Sequence, residues 1–311
     1  MRILFMGTPE IAATCLAALR NDGKNIVAVV TREDKPKGRG GILTPSPVKV
    51  YATENGIPVY QPKTLRDEAF SACLREIDPD LIAVVAYGKI LPPSVLAYPR
   101  YGCVNLHVSL LPAYRGAAPM QRAVMNGEKE TGVTTMLMDE GLDTGDILYQ
   151  EAFPLTDRDT FETVHDKSAA IGGALLSKTI DALFHGTAVP KKQPEAGASY
   201  ADKIEKEDCV LDFTRPATAL DAQIRGLYPF PLSVTHTADG KLLKIVRAVP
   251  TAGAGVPGTV IRVSDKGDGE IVIACGEGAL SVLTAVPEGK GRMTAGDLVR
   301  GRKINLNERL G

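Results

Sequence analysis

Tryptophan is absent, and aromatic residues make up only 5% of the 311 positions. A buried core must therefore rest on Leu, Ile, Val and Ala, and a hydrophobic fraction of 44% supplies enough of them. An excess of either charge is lacking too: 36 Lys and Arg face 37 Asp and Glu, for a formal net charge of −1. That balance excludes a polybasic nucleic-acid binder and a highly charged disordered chain. RNA stays open as a partner only through a local basic patch. The cysteines Cys15, Cys73, Cys103, Cys209 and Cys275 are odd in number, scattered, and without a C-x-x-C pair. A disulfide framework and a cysteine-type zinc site are thereby excluded, and a reducing compartment fits better. No His, Cys or carboxylate cluster has metal spacing, so no metal is expected. No apolar run approaches the ~18 residues a membrane helix needs. The apolar start Met1–Gly7 is too short for a signal-peptide core, so the expected location is the cytoplasm.

What is present is organised in two styles, and the length predicts two domains. The first half alternates strand and helix patterns, which predicts an α/β domain with a Rossmann-like parallel sheet. Arg2–Met6, Ile26–Val30 and Leu81–Ala86 read as buried strands, Cys103–Leu106 as a shorter one, and Thr131–Met138 as a strand nearer the edge. Thr8 is expected to cap a helix that Pro9 begins. Apolar residues recur at helical spacing from Asp159 to His185, and Gly186 stops that helix. Residues 187–208 are poor in apolar positions and rich in Pro, Gly and Lys, the composition of a linker. Beyond them, short β-rich runs separated by Gly, Asp and Pro turns predict a small antiparallel barrel of the OB type. The expected division is an α/β catalytic domain over 1–188, a linker over 189–208 and an OB-like barrel over 209–311.

The segment Asn105-Leu106-His107-Val108-Ser109-Leu110-Leu111-Pro112 is the most informative. The carboxyl end of a parallel strand faces the crevice where such sheets bind ligands. Side chains alternate along a strand, so Asn105 and His107 share a face, about 6–7 Å apart. An amide donor beside an imidazole suits acyl transfer, the amide holding a developing oxyanion while the imidazole moves a proton. The competing reading is a polar pair that merely satisfies loop carbonyls. Downstream, Asp139-Glu140-Gly141-Leu142-Asp143-Thr144-Gly145-Asp146 sets carboxylates among glycines, and a nearby carboxylate would orient and favour a protonated imidazole. Spacing alone does not say which acid does so, and Asp139 and Asp146 also suit solvated turns. No Ser or Cys nucleophile with a paired base is visible, and Gly7-Thr8-Pro9 lacks the glycine pattern of a dinucleotide site. His165, His185 and His236 read as structural or surface residues.

N-x-H-x-S-L-L-P followed by G-L-D-T-G-D resembles the folate-dependent formyltransferase superfamily. The likeness runs end to end: Phe5-Met6-Gly7-Thr8-Pro9, Gly38-Arg39-Gly40 with Pro45-Ser46-Pro47, Ala86-Tyr87-Gly88, Arg115-Gly116-Ala117-Ala118-Pro119, and Tyr200-Ala201-Asp202-Lys203-Ile204. The resemblance implies transfer of the formyl group of 10-formyltetrahydrofolate to the α-amine of methionine on initiator tRNA. It implies a catalytic trio of Asn105, His107 and Asp143, and a folate segment of Ser109, Leu110, Leu111 and Pro112. Val108 departs from the pattern, since relatives often carry Gly or Ala there, and the larger side chain would tighten the pocket. The basic segment Arg32–Lys49 holds Lys35, Lys37 and Arg39 in a long loop, and Arg39 matches the family's key tRNA-contacting residue. Lys290, Arg292, Arg300, Arg302 and Lys303 form a second basic grouping, equally readable as a solvated final helix. Three alternatives stay open at this point: a formyltransferase for a sugar-nucleotide or other small amine, a hydrolase of the folate, and an RNA-binding module with an inactive α/β domain.

Overall fold

The structure is a computed structural model that describes residues 1–37 and 41–311. Its chain divides into two compact units: residues 1–119, 131–153 and 165–201 in the first, and 120–130, 154–164 and 202–311 in the second.

The first unit is built on a seven-stranded sheet. In chain order its strands are β1 (Ile3–Gly7), β2 (Ile26–Val30), β3 (Val59–Tyr60), β4 (Leu81–Val85), β5 (Cys103–His107), β6 (Glu130–Leu137) and β7 (Ile147–Pro154). They lie in the order β7-β6-β5-β4-β1-β2-β3. Strands β1 to β5 pair in parallel, and β6 runs antiparallel to β5. Every residue of β1 and of β4 is buried, as a parallel sheet covered on both faces requires. Strict alternation sends Ile3, Phe5, Leu81, Ala83 and Val85 into one core and Leu4, Met6, Ile82 and Val84 into another. Helices α1 (Glu10–Asn21), α2 (Pro47–Glu54) and α4 (Phe161–Phe184) contribute to the first of these cores, and α3 (Glu68–Ile77) to the second. Strand order changes direction of growth at β1 and β4, so the carboxyl ends of the central strands open on the crevice where α/β sheets hold ligands.

Several local expectations are revised. Thr8 does not cap α1. Pro9 occupies the cap position without a side-chain hydrogen bond, and the Thr8 hydroxyl donates instead to the Tyr87 carbonyl at 3.2 Å. A proline fixes the extended turn into the helix by its ring alone, which leaves the preceding hydroxyl free for the neighbouring strand end. The segment expected as one long loop contains an antiparallel hairpin, Lys35–Lys37 against Ile42–Thr44. Edge strand β7 escaped the sequence reading because most of its residues between Gln150 and Pro154 are exposed.

The second unit carries the expected OB-like antiparallel domain. Ser233–His236, Leu242–Thr251, Ala279–Pro287, Glu270–Ala274 and Val260–Ser264 form successive antiparallel pairs, and Met293–Thr294 adds to the third of them. Leu243, Ile245, Ile271, Ile273, Leu280 and Val282 fill its core together with Leu220 and Ile224 of the helix Ala217–Gly226. Among the described residues, no helix is long and apolar enough to cross a membrane.

Candidate active site

Strand β5 ends at His107, and the alternation that buries Val104 and Leu106 leaves Asn105 half-buried on the same side as His107. Asp143 arrives from the loop between β6 and β7. Its carboxylate lies between the two: Oδ1 is 3.5 Å from Asn105 Nδ2, and Oδ2 is 3.6 Å from His107 Nδ1. The structure thus brings together the three residues expected as a catalytic trio. Both contacts are longer than a well-formed hydrogen bond, so the Asn105 amide keeps donor capacity and His107 Nδ1 is not saturated by Asp143. A firmer bond anchors the carboxylate, since the Gly116 backbone N–H donates to Asp143 Oδ2 at 2.8 Å.

The imidazole is held by its other nitrogen. His107 Nε2 lies 2.8 Å from the Tyr114 carbonyl, and a carbonyl oxygen only accepts, so Nε2 carries a hydrogen. Nδ1 is left facing Asp143. His107 is only 5% exposed, which keeps competing water away from this pair.

The Asp143 loop needs an unusual backbone. Asp143 itself has φ of 53°, a conformation that non-glycine residues seldom adopt. At Gly145, an added Cβ would lie 1.7 Å from the Leu137 carbonyl oxygen, so only glycine fits. Asp139 closes the loop from within, accepting from Thr144 Oγ1 at 2.8 Å and from the Gly141 N–H at 3.0 Å. Asp139 thus closes the turn, and the Asp143 carboxylate is the one that faces His107.

The expected folate segment splits by exposure. Ser109 is fully buried and donates to the Ala113 carbonyl at 2.7 Å, and Leu111 is buried, whereas Leu110 and Pro112 are half-buried. The segment's shape is enforced by two residues that sequence reading missed. Thr134 Oγ1 donates to the Ser109 carbonyl at 2.7 Å and accepts from the Leu111 N–H at 3.2 Å. Gln150 Nε2 donates to the Leu111 carbonyl at 2.9 Å and to Thr134 Oγ1 at 3.0 Å. Thr134 sits directly across the ladder from His107, a neighbour that only sheet register reveals.

Of the expected tRNA-contacting residues, Lys35 is exposed on the first strand of the hairpin, Lys37 ends that strand, and Arg39 lies outside the described residues. Lys49, counted with them in the basic segment, is instead committed to the hairpin base, bonding Asp34 Oδ2 at 2.7 Å and Gln61 Oε1 at 2.8 Å. In the second unit Lys290, Arg302 and Lys303 line a cavity of about 500 Å³ with Lys241, while Arg300 is engaged by Asp297 at 2.6 Å.

Burial pushes the Cys15 and Cys103 thiols up to about 12, far from a thiolate at neutral pH. Among the described residues, no group of three or more His, Cys, Asp or Glu could hold a metal ion.

Comparison with known proteins identifies relatives of the chain. The formyl transferase family matches residues 1–180, and the formyl transferase C-terminal domain family matches residues 203–303. A methionyl-tRNA formyltransferase of Citrifermentans bemidjiense is 46% identical over 100% of this chain and 96% of its own length. One of Myxococcus xanthus is 47% identical over 97% of this chain and 96% of its own. Among solved structures, an N-formyltransferase from Helicobacter canadensis, in complex with folinic acid and dTDP-3-aminofucose, superposes with a TM-score of 0.64 at 19% identity, covering 90% of this chain and 98% of that one. HypX from Aquifex aeolicus in complex with tetrahydrofolic acid gives 0.63 at 18% identity, over 97% of this chain and 47% of that one. At such identities these structures speak for the fold alone. With both formyl transferase families matched and full-length relatives at these identities, the chain belongs to the methionyl-tRNA formyltransferase family.

Proposed function

We propose that this protein transfers the formyl group of 10-formyltetrahydrofolate to the α-amino group of methionine esterified to initiator tRNA, through Asn105, His107 and Asp143. The observation that carries the reading is the single carboxylate of Asp143 set between an amide and an imidazole at the carboxyl end of β5. The folate supplies an activated formyl carbon. The residues present suit it: Asn105 retains donor capacity, and Leu110 and Pro112 offer half-exposed apolar surface a few residues farther on.

The neutral methionyl amine attacks the formyl carbon, and the carbonyl electron pair moves onto oxygen. Asn105 donates its amide N–H to that oxyanion. Because Nε2–H of His107 is spent on the Tyr114 carbonyl, the ring acts through Nδ1. As the imidazolium it shares Nδ1–H between the Asp143 carboxylate and the oxyanion, and Asp143 stabilises its charge. The electron pair then returns to carbon, the bond to the folate nitrogen breaks, and that nitrogen takes up the proton the amine has lost. No covalent link to the enzyme is required. The hairpin with Lys35 and Lys37, together with Arg39, is assigned to the acceptor end of the tRNA, where unpaired nucleotides are the most readable part of an RNA duplex.

The decisive experiment compares purified enzyme on methionyl initiator tRNA, methionyl elongator tRNA and a free sugar amine. Activity on the initiator alone is expected. Equal rates on both tRNAs would remove the specificity assignment, turnover of a sugar amine would favour a small acceptor, and formate release without an acceptor would favour a hydrolase. His107→Ala should abolish turnover while sparing tRNA binding.

A further inference from the structure

Residues 191–201 follow α4 and resemble, in composition, a tether. Their hydrogen bonds are nevertheless spent on the two loops that hold the trio. Lys191 exchanges backbone hydrogen bonds with Ile147, at 2.8 and 2.9 Å, just beyond the Asp143 loop. Gln193 Nε2 donates to the carbonyls of Asp143 and Gly145, both at 2.8 Å. Gln193 Oε1 accepts from Arg115 Nε at 3.1 Å and from its terminal nitrogen at 2.9 Å. Arg115 is 3% exposed, so this guanidinium is a rigid, dry anchor. Farther on, Ser199 Oγ accepts from the Tyr114 N–H at 2.9 Å, the Ser199 carbonyl from the Arg115 N–H at 2.8 Å, and the Ala201 carbonyl from the N–H groups of Ala117 and Ala118.

These contacts reach both sides of the His107–Asp143 contact. Tyr114 supplies the carbonyl that fixes His107, and Gly116 supplies the N–H that fixes Asp143. Gln193 fastens the Asp143 backbone to the residue between them. We infer that Gln193 is a positioning residue for Asp143, and that residues 191–201 form a strap setting the distance between that carboxylate and the His107 imidazole. The inference rests on the catalytic reading of Asp143. Glutamine alone among similar side chains serves here, because the same group must give two N–H bonds to carbonyls and accept a guanidinium fork. Glutamate keeps the Arg115 contact but turns acceptors toward two carbonyl oxygens.

The test uses the full-length enzyme with Gln193→Met and Gln193→Glu, each alone and combined with Asp143→Asn. Gln193→Met should lower kcat on the order of 10- to 100-fold, as misplacement of a catalytic group does, with KM for tRNA and for the folate donor within about twofold of the parent. Gln193→Glu, which keeps Arg115 paired and so folds even where the methionine variant does not, should fail to restore kcat. Both variants should displace the pH profile of kcat. In the Asp143→Asn background the same changes should cost about twofold or less, because the group they position is gone. Undiminished kcat in Gln193→Glu, or equal losses in both backgrounds, overturns the strap. Full activity of Asp143→Asn alone would instead remove the catalytic reading itself.

Discussion

At the level of single residues, the Asp143 carboxylate lies between an amide and an imidazole, and the proposed chemistry divides its labour among the three. Asn105→Ala should lower kcat by about 10²–10³ with little change in KM, as loss of one oxyanion donor does; single-turnover formylation at saturating folate measures it. Thr134 shapes the segment that follows β5. Its buried hydroxyl ties Ser109, Leu111 and Gln150 together, so Thr134→Val strands a backbone donor and an acceptor of the segment proposed to hold folate. A loss of about 1–3 kcal/mol in unfolding free energy is expected from denaturant titration. Sequence alone made Asn105 and His107 legible, because strand parity puts residues two apart on one face. Which acid completes the trio was not legible from spacing. Asp139 and Asp143 differ only in backbone: one turns its carboxylate back on Thr144, the other takes a left-handed φ that throws it toward β5. Gln193 was invisible for a related reason, since a glutamine in a polar segment has no periodicity to betray its hydrogen-bond partners.

At the level of elements, the central strands were readable because continuous apolar runs of β-branched residues have few alternatives in a covered parallel sheet. Two helices are capped by side chains: Ser46 accepts from the Lys49 N–H and Asp67 from the Phe70 N–H. The Thr8 cap was misread because Pro9 does that work without a hydrogen bond. The hairpin within the basic segment was hidden by its Gly and Pro content, which signals loop at any window length. Its base is locked by a polar triangle, with Gln61 Nε2 donating to Asp34 Oδ1 at 2.8 Å and to the Arg32 carbonyl at 2.7 Å, and Lys49 closing on both. Lys49→Met should loosen that base and raise KM for tRNA severalfold while leaving KM for the folate donor unchanged. Steady-state kinetics with each substrate varied in turn distinguishes this from a general loss of fold.

At the level of the whole molecule, the second unit is discontinuous, with residues 120–130 and 154–164 joining 202–311. Arg122 links the first of these excursions to the rest, meeting the Asp208 carboxylate with two nitrogens at 2.8 and 2.9 Å. Hydrogen bonds from Arg122 hold the Asp208 carboxyl below the usual carboxylate range. A depressed folded-state value means that this link contributes stability above the unfolded pKa and loses it as pH falls below about 4. Thermal unfolding between pH 6 and pH 3 should therefore show a steeper acid decline for the parent than for Asp208→Asn. The boundary between units could not be read from composition, because it is not a point in the chain: two excursions leave the α/β half and return to it. That arrangement has a consequence for synthesis. A ribosome delivers residues 120–130 and 154–164 well before 202–311 exist, so their partners arrive late. The nascent α/β half must carry these two stretches unmatched until the later strands emerge.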